Sequence, residues 1–254
     1  MNLGIGLGIT NYQGVPTVPL DPDAVIAALF GSGEEGAWYD PSDLSTVWQD
    51  AAGTTPATAG DPVGRIDDKS GNGNHATQST STARPTLQTS GGLYYLDFDG
   101  VDDWMRAILA SNQAQPNTLA VAVKLDLASD TSYIVDGYGS ERNLLYQPST
   151  NLSLYAGTTL SSPSATGTSE RVFLGYFNTT SSEIRVDGVQ KATGNAGSAL
   201  WGGITLGGSS ASPPSGAAMT DGRIYGFVGV NRTLTAGEIS DVEAYLAAKS
   251  GVTL

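Results

Sequence analysis

The stretch that most constrains the fold of this chain is Leu93–Met105, which reads LYYLDFDGVDDWM. Its side chains alternate, which predicts a strand with Leu96 and Phe98 on one face and the aspartates on the other. Asp99-Gly100 then predicts a tight turn into a second short strand, because glycine adopts a positive φ without a Cβ clash. A hairpin with one apolar face is unstable alone in water, so a second sheet must cover it.

Further strand patterns follow at short intervals, with no helical pattern between them. They are Thr118–Leu125, Ser132–Val135, Asn143–Tyr146, Leu152–Tyr155, Arg171–Phe177, Glu183–Val189, Trp201–Leu206 and Arg223–Val230. Polar loops are predicted at Ser161–Ser169 and Gly207–Ala218. This spacing predicts an all-β fold, a two-sheet antiparallel sandwich rather than a parallel sheet. The residues expected in its core are Phe98, Leu119, Val121, Val123, Leu174, Ile184, Val186, Ile224 and Val228.

Two helices are predicted at the margins of the sandwich. Asp21 and Pro22 supply an N-cap and a first helical residue for a short helix that ends near Gly31. Thr235 and Glu238 form a capping-box pattern ahead of a terminal helix at Ala236–Lys249. The sandwich therefore carries one C-terminal helix.

The first ten residues, MNLGIGLGIT, form a separate pattern. Leu3, Ile5, Leu7 and Ile9 alternate with glycine and asparagine, which predicts an extended strand with one apolar edge. Such an edge favours burial against another protein surface or a sister subunit, and the alternative is a flexible terminus. We therefore predict two units: residues 1–36 as an extended attachment and oligomerisation segment, and residues 37–254 as the sandwich.

Charge and composition exclude several classes of partner. The 254 residues contain 12 Lys+Arg against 25 Asp+Glu, a net charge of −13, which disfavours nucleic acid and anionic membrane surfaces. There is no cysteine and no apolar run of about 18 residues, so neither disulfides nor a membrane-spanning helix is predicted. The first basic residue is Arg65, which argues against a secretory signal and for assembly in a bacterial cytoplasm.

Catalytic patterns are sparse. His75 is the single histidine, so a zinc site is not predicted, and no nucleophile elbow precedes a helix. Glycoside hydrolysis needs two carboxylates that flank the scissile bond. Asp97 and Asp99 are the nearest pair, but they surround a tight turn rather than follow one strand. From the sequence we predict that the protein is not an enzyme.

Four motifs, in order, carry a family resemblance. YLDFDGVDDWM resembles the "FDGvdD" hairpin of LamG-like, concanavalin A-like jelly-roll domains. The segments Ile66–Thr77, Glu183–Gln190 and Gly222–Leu246 resemble the "SGNGNHG" turn, the "lyvDGv" hairpin and the closing strand, turn and helix of that family. The resemblance implies a concanavalin A-like jelly roll, a fold that carries lectins, hydrolases and adhesion modules.

The start of the predicted sandwich, WYDPSDLSTVWQD from Trp38 onward, is similar to the opening of bacteriophage and prophage particle proteins with this jelly roll. It implies a virion surface protein such as a head fibre, spike or tail fibre, whose N-terminal segment attaches to capsid or tail proteins. The sandwich is then expected to bind a host-surface glycan. The alternatives are a structural decoration protein without a ligand and a polysaccharide-degrading enzyme.

The family resemblance also implies Ca²⁺ and sugars as candidate ligands. Oxygen donors suited to Ca²⁺ are Asp67, Asp68, Asn72 and Asp99, with Asn74, Asp102 and Asp103 as further candidates; the alternative is that these residues form Asx-turns. Sugar sites combine a flat aromatic ring with a few polar groups. The residues of suitable type are Trp104, Asp102, Asp103, Tyr138 and Trp201, with Tyr146 as a further aromatic; for the aromatic residues the alternative is core or edge packing.

Overall fold

The computed structural model describes residues 21–127, 131–165, 167–214 and 218–254, and it shows two antiparallel sheets packed as a sandwich. In the described part of the chain, sheet A contains eight strands. These are β1 (Gly36–Tyr39), β5 (Thr86–Ser90), β6 (Leu93–Asp99), β8 (Asn117–Leu125), β13 (Arg171–Phe177), β14 (Ser182–Val186), β15 (Val189–Gly194) and β17 (Asp221–Val230). Their order is β15-β14-β13-β8-β17-β6-β5, with β1 also paired to β17.

Sheet B contains nine strands within the same ranges. These are β2 (Val47–Trp48), β3 (Arg65–Ile66), β4 (Ala76–Thr77), β7 (Met105–Gln113), β9 (Ser132–Asp136), β10 (Leu144–Gln147), β11 (Asn151–Tyr155), β12 (Thr159–Ala165) and β16 (Trp201–Leu206). Their order is β12-β11-β10-β9-β16-β7-β4-β3-β2. The predicted two-sheet antiparallel sandwich is confirmed.

Strand β8 is buried on both faces, which explains why its sequence from Leu119 to Val123 is apolar throughout. Leu119 and Val121 lie in the core between the two sheets, whereas Ala120 and Ala122 lie on the opposite face, in a second hydrophobic cluster beside the helices. A strand that is buried on both faces reads as a continuous apolar run rather than a strict alternation. All nine residues predicted for the core are buried, at 0–5 % exposure.

The predicted hairpin at Leu93–Met105 is wrong in its pairing. Strand β6 pairs with β5 and β17 in sheet A, whereas β7 pairs with β4 and β16 in sheet B. The Asp99-Gly100 turn therefore carries the chain from one sheet to the other. The second strand is also longer than predicted and begins after Trp104. By contrast, the Asp187-Gly188 hairpin between β14 and β15 is confirmed.

Further stretches differ from the sequence prediction. The predicted loop at Ser161–Ser169 is strand β12 as far as Ala165, because β12 pairs with β11 along the edge of sheet B. The short strands β2, β3 and β4 are not predicted, because two residues are too few to show an alternating pattern. Strand β5 is not predicted either, because its sequence TLQTS contains one apolar residue among polar ones.

Helices cover the outer face of sheet A. Helix α1 (Pro22–Ala27) is capped by Asp21 and continues as a 3₁₀ turn to Phe30, and helix α2 (Ala236–Ser250) has the predicted capping box. Ile26, Leu29, Val242, Tyr245 and Leu246 are buried together in the cluster on this face. Lys69 Nζ adds a polar tie by donating to Asp23 Oδ2 at 2.7 Å.

The described part of the predicted attachment segment, residues 21–36, thus packs on its own sandwich. Leu3, Ile5, Leu7 and Ile9 lie outside the described residues, and their attachment role stays a prediction. Among the described helices, none is long and apolar enough to cross a membrane. Within the described residues, α1 and α2 pack against sheet A and not against the outer face of sheet B.

Candidate functional site

Strand β7 places a cation on the outer face of sheet B. Met105, Ala107 and Leu109 belong to the core between the sheets, so the alternating Arg106 and Ile108 point outward. Ile108 is 56 % exposed, whereas Arg106 is only 7 % exposed because neighbouring side chains and a loop enclose it. The outer face here therefore presents a partly enclosed guanidinium rather than a free one.

Arg106 lines an open groove of about 370 Å³. The other polar and aromatic groups of the groove come from β4, from the residues before β7 and from the loops after β9 and β16. They are His75, Thr77, Ser79, Trp104, Tyr138 and Ser212. The two aromatic rings are half-buried, so each keeps part of its surface accessible. The groove thus combines flat apolar surface with hydroxyl and imidazole groups.

Neutral oxygens and two rings hold the guanidinium of Arg106. Its Nε donates to Thr205 Oγ1 at 2.7 Å, and its Nη2 donates to the carbonyls of Ser209 at 2.8 Å and Ala211 at 2.6 Å. Its Cζ lies 5.0 Å from the ring centre of Trp104 and 5.2 Å from that of Tyr138, within cation–π range. Burial lowers the pKa of Arg106, against opposing effects of Tyr138 and Asp136.

A second arginine on this face, Arg142, also lies beside two aromatic rings, but it has a carboxylate partner. Arg142 lies 5.4 Å and 5.3 Å from the ring centres of Tyr133 and Tyr155, beside a smaller groove of about 160 Å³ that Tyr146 also lines. Its Nη2 donates to Asp136 Oδ2 at 2.7 Å, and its Nε donates to both carboxylate oxygens at 3.1 Å. This arginine is therefore neutralised inside the protein.

Asp136 connects the two arginines through the backbone. It is fully buried, and its oxygens also accept hydrogen bonds from the amides of Gly137 at 2.7 Å and Ser210 at 2.8 Å. Ser210 lies between the two residues whose carbonyls hold Arg106. The Asp136–Arg142 pair thus fixes the loop that shapes the larger groove.

The predicted sugar-contacting residues separate into three groups. Trp104 and Tyr138 come together on either side of Arg106. Trp201 is 0 % exposed in the core between the sheets, so no ligand reaches its ring and the prediction is wrong for this residue. Asp102 and Asp103 lie in the turn between β6 and β7 and do not line the groove.

Sequence reasoning missed Arg106, Arg142 and Asp136. The outward position of Arg106, two residues after Trp104, is visible in the alternation of β7 once its register is known. The role of Asp136 shows no sequence signal, because its partners Arg142 and Ser210 come from other segments.

The predicted Ca²⁺ donors are not brought together. Asp68 accepts hydrogen bonds from the amides of Trp38, Ser70 and Asn74, which closes the turn at residues 68–74. Asp67 is paired with Arg65 at 2.6 Å. The Asn72 amide group donates to the carbonyls of residues 34 and 36. Hydrogen bonds and an ion pair within the protein therefore account for Asp67, Asp68 and Asn72, as the Asx-turn alternative predicts for this loop.

The predicted donor Asp99 lies in an acidic cluster at the turn between the sheets, together with Asp102 and Asp103. Ligand oxygens of Asp99, Asp102 and Asp103 lie within 4.8 Å of one another, an arrangement of hard donors that could hold a metal ion. Asp103 is buried, whereas the other two residues are exposed. Burial and the neighbouring charge of Asp99 raise the pKa of Asp103 to about 7.

Replacement of Asp103 by asparagine should flatten the pH dependence of stability. The native state holds the Asp103 proton up to about pH 7, whereas the unfolded chain releases it near pH 4, so stability falls as the pH rises between these values. The asparagine side chain would keep an acceptor for the Asp99 amide and carry no charge. We expect the free energy of unfolding of Asp103→Asn at about pH 8 to exceed that of the wild type by about 2 kcal/mol.

Urea unfolding at about pH 5 and about pH 8 measures this difference. Asp241→Asn, on the exposed face of α2, is the matched control and should change stability by less than about 0.5 kcal/mol. If the stability of Asp103→Asn falls between about pH 5 and about pH 8 as steeply as that of the wild type, the raised pKa does not belong to Asp103.

Solved structures share this fold at low sequence identity. A GH54 α-L-arabinofuranosidase matches with a TM-score of 0.61 and 14 % identity, over 89 % of this chain and 65 % of that chain. Trypanosoma rangeli sialidase in complex with sialic acid matches with a TM-score of 0.56 and 14 % identity, over 89 % of this chain and 37 % of that chain. Domain 4 of a GH43 arabinanase from Geobacillus stearothermophilus, in complex with arabinotriose, matches with a TM-score of 0.52 and 14 % identity, over 83 % of this chain and 98 % of that chain.

This chain spans about a third of the sialidase chain and nearly the whole of the arabinanase domain. No family model matches the sequence, and a search of curated proteins finds no match either. At these identities the likeness establishes the fold, a β-sandwich that occurs in carbohydrate-active proteins. It gives no support to the predicted place in a bacteriophage particle.

The comparisons also correct the prediction that the protein is not an enzyme. The sialidase, the arabinanase and the arabinofuranosidase that contain this fold are all glycoside hydrolases. The missing array of carboxylates along one strand is therefore no ground for excluding catalysis, and the prediction is withdrawn. What the comparisons support is a carbohydrate-related fold.

Proposed function

We propose that this sandwich binds carbohydrate in the groove between Trp104 and Tyr138 on the outer face of sheet B. The observation that carries the proposal is the pair of half-buried rings that flank one groove lined by hydroxyl groups. The C–H face of a sugar ring packs on an aromatic side chain, while hydroxyls and an imidazole exchange hydrogen bonds with its edge. The groove contains side chains suited to both kinds of contact.

Two other features support this choice. The outer face of sheet A is covered by α1 and α2, which leaves sheet B as the open face of the described sandwich. The arabinanase domain that matches over 98 % of its length was solved with arabinotriose, so a sandwich of this size accommodates a sugar ligand in at least one protein.

Trp104→Ala should weaken the binding of a retained glycan by about tenfold or more, because an aromatic ring in the groove wall supplies much of the contact area. Affinity for glycans retained in an array screen, measured by calorimetry, gives the effect. Tyr176→Ala is the control, since Tyr176 is a half-buried ring on the other sheet. Equal losses in the two variants, or none in Trp104→Ala, would remove the groove as the binding site.

A second candidate function is hydrolysis of a glycan at the turn between β6 and β7. The observation that favours it is the carboxylate cluster, in which Asp103 has its pKa raised to about 7 beside the exposed Asp99 and Asp102. A carboxyl group that keeps its proton near neutral pH can act as a general acid, and an ionised neighbour can act as a nucleophile or base.

New reducing ends released from a polysaccharide panel test this candidate. Release that is lost in both Asp102→Asn and Asp103→Asn, with glycan retention unchanged, would support it. Release that persists in both variants would rule out these carboxylates as its source.

Placement on a bacteriophage particle stays a prediction from the opening motif. In that setting the N-terminal segment contacts capsid or tail proteins, the chain forms an oligomer, and the groove meets a glycan of the host surface. The proposed glycan binding is compatible with this setting and does not depend on it, because it rests on the groove residues alone. The aliphatic residues of the first ten positions lie outside the described residues.

A further inference from the structure

Arg106 differs from the other arginines of the described residues in how its charge is balanced. Most of them lie within 4.0 Å of a carboxylate oxygen; these are Arg65, Arg142, Arg171, Arg185, Arg223 and Arg232. Arg84 has no such partner, but each of its three nitrogens donates to a backbone carbonyl. Arg106 has neither a carboxylate within that distance nor a full set of acceptors.

The free part of the Arg106 guanidinium is Nη1. Nε and Nη2 are committed to Thr205, Ser209 and Ala211, whereas Nη1 donates to no described residue. Asp136 is the carboxylate on this face whose charge reaches Arg106, yet its oxygens are occupied by Arg142 and two amides. Neutral carbonyls, a hydroxyl and two rings hold this enclosed guanidinium, but no carboxylate of the described residues lies beside it to balance its charge. An enclosed charge is costly without an opposite charge, so its retention in a groove favours an anion supplied from outside.

We propose that the groove selects an acidic sugar, whose carboxylate accepts hydrogen bonds from Arg106 while its ring packs on Trp104 or Tyr138. This inference rests on the proposed carbohydrate binding and adds the class of ligand. A guanidinium matches a carboxylate in shape and charge, and the contact strengthens where water is partly excluded. The rings and the carbonyls hold the guanidinium in place before a ligand arrives.

The surrounding charge argues for single carboxylates rather than a densely charged polymer such as nucleic acid. The chain has a net charge of −13, and Arg106 is the only Lys or Arg among the described residues that line this groove. A uronic-acid residue within an otherwise hydroxylated oligosaccharide offers one negative charge per ring. That composition fits one cation surrounded by hydroxyl groups and aromatic surface.

The test compares matched pairs of oligosaccharides. Each probe is an oligosaccharide with one uronic-acid residue among neutral sugars, such as an aldouronic acid from glucuronoxylan, and it is paired with its carboxyl-reduced form, which has the same rings and no charge. We expect wild-type protein to prefer the carboxylate member by about tenfold or more, and to lose this preference as salt is added. A sulfated neutral oligomer in the same series separates a carboxylate site from a general anion site.

Arg106→Met should bind the two members of each pair equally, because it removes the charge and keeps much of the packing volume. Arg106→Lys keeps the charge but loses the planar fork, so part of the preference should remain. Lys191→Gln, on the edge strand β15 of the other sheet, is the matched control and should leave the preference unchanged. Urea unfolding of each variant shows whether it is folded.

The outcomes separate this inference from the proposed function. Equal wild-type binding of acidic and neutral partners, weakened by Trp104→Ala, would overturn the acidic ligand and leave carbohydrate binding in place. A preference that survives both Arg106→Met and Arg106→Lys would also overturn it. Retention of no sugar of either kind would overturn both proposals, whereas a preference lost only with Arg106 supports both.

Discussion

Truncation of Phe98 to alanine should lower the free energy of unfolding by about 3–5 kcal/mol. The Phe98 side chain is 2 % exposed at the end of β6, in the core between the two sheets. Its ring lies directly against the backbone of Gly207, where an added Cβ would clash with the ring. The alanine variant would leave a cavity in a region where β6, β7 and the loop after β16 meet.

Urea unfolding, with the slope checked for two-state behaviour, measures this loss. Val101→Ala is the matched control from the same stretch, because Val101 is 71 % exposed and should change stability by less than about 0.5 kcal/mol. A Phe98→Ala effect below about 1 kcal/mol would mean that the ring is not a core residue and that the register of β6 is wrong.

Replacement of Asp136 by alanine should cost about 3–5 kcal/mol, because it leaves the partly buried Arg142 without its counterion. The same change removes the acceptor of two amides, those of Gly137 and Ser210. The loop that presents carbonyls to Arg106 should loosen as a result. We therefore expect weaker glycan binding as well as lower stability.

A double-mutant cycle separates the pair from its surroundings. Asp136→Ala combined with Arg142→Met should cost less than the sum of the two single changes, since neither charge is then left alone. Asp126→Ala is the control, because Asp126 is exposed and its pair with Lys124, at 3.5 Å, should contribute less than about 1 kcal/mol. An additive double variant would show that Asp136 acts through its amide partners rather than through Arg142.

Local patterns were sufficient to predict individual elements. Trp201–Leu206 is a strand with the predicted bounds, and the terminal helix begins at Ala236 as its capping box indicates. The two-residue period of β6 and β8 placed Phe98, Leu119, Val121 and Val123 in the core correctly. These features depend on side-chain period and on caps within a few residues, so they can be read from contiguous sequence.

Pairing between distant segments was not predictable in the same way. The turn at Asp99-Gly100 has the composition of a hairpin, yet β6 and β7 pair with strands that are far from them in sequence. A glycine turn sets the local chain direction but leaves open whether the next strand stays in the same sheet. That choice depends on which non-local partners bury the apolar faces of both strands.

The candidate site shows the same division. The sequence by itself determined that Trp104 and Tyr138 are aromatic residues near strand ends, and that Arg106 follows Trp104 by two positions. Only the tertiary structure decided that Trp201 is buried, that Asp136 neutralises Arg142, and that Arg106 keeps a free donor in a groove. Exposure and charge balance are properties of packed surroundings, because the neighbours that decide them come from distant parts of the chain.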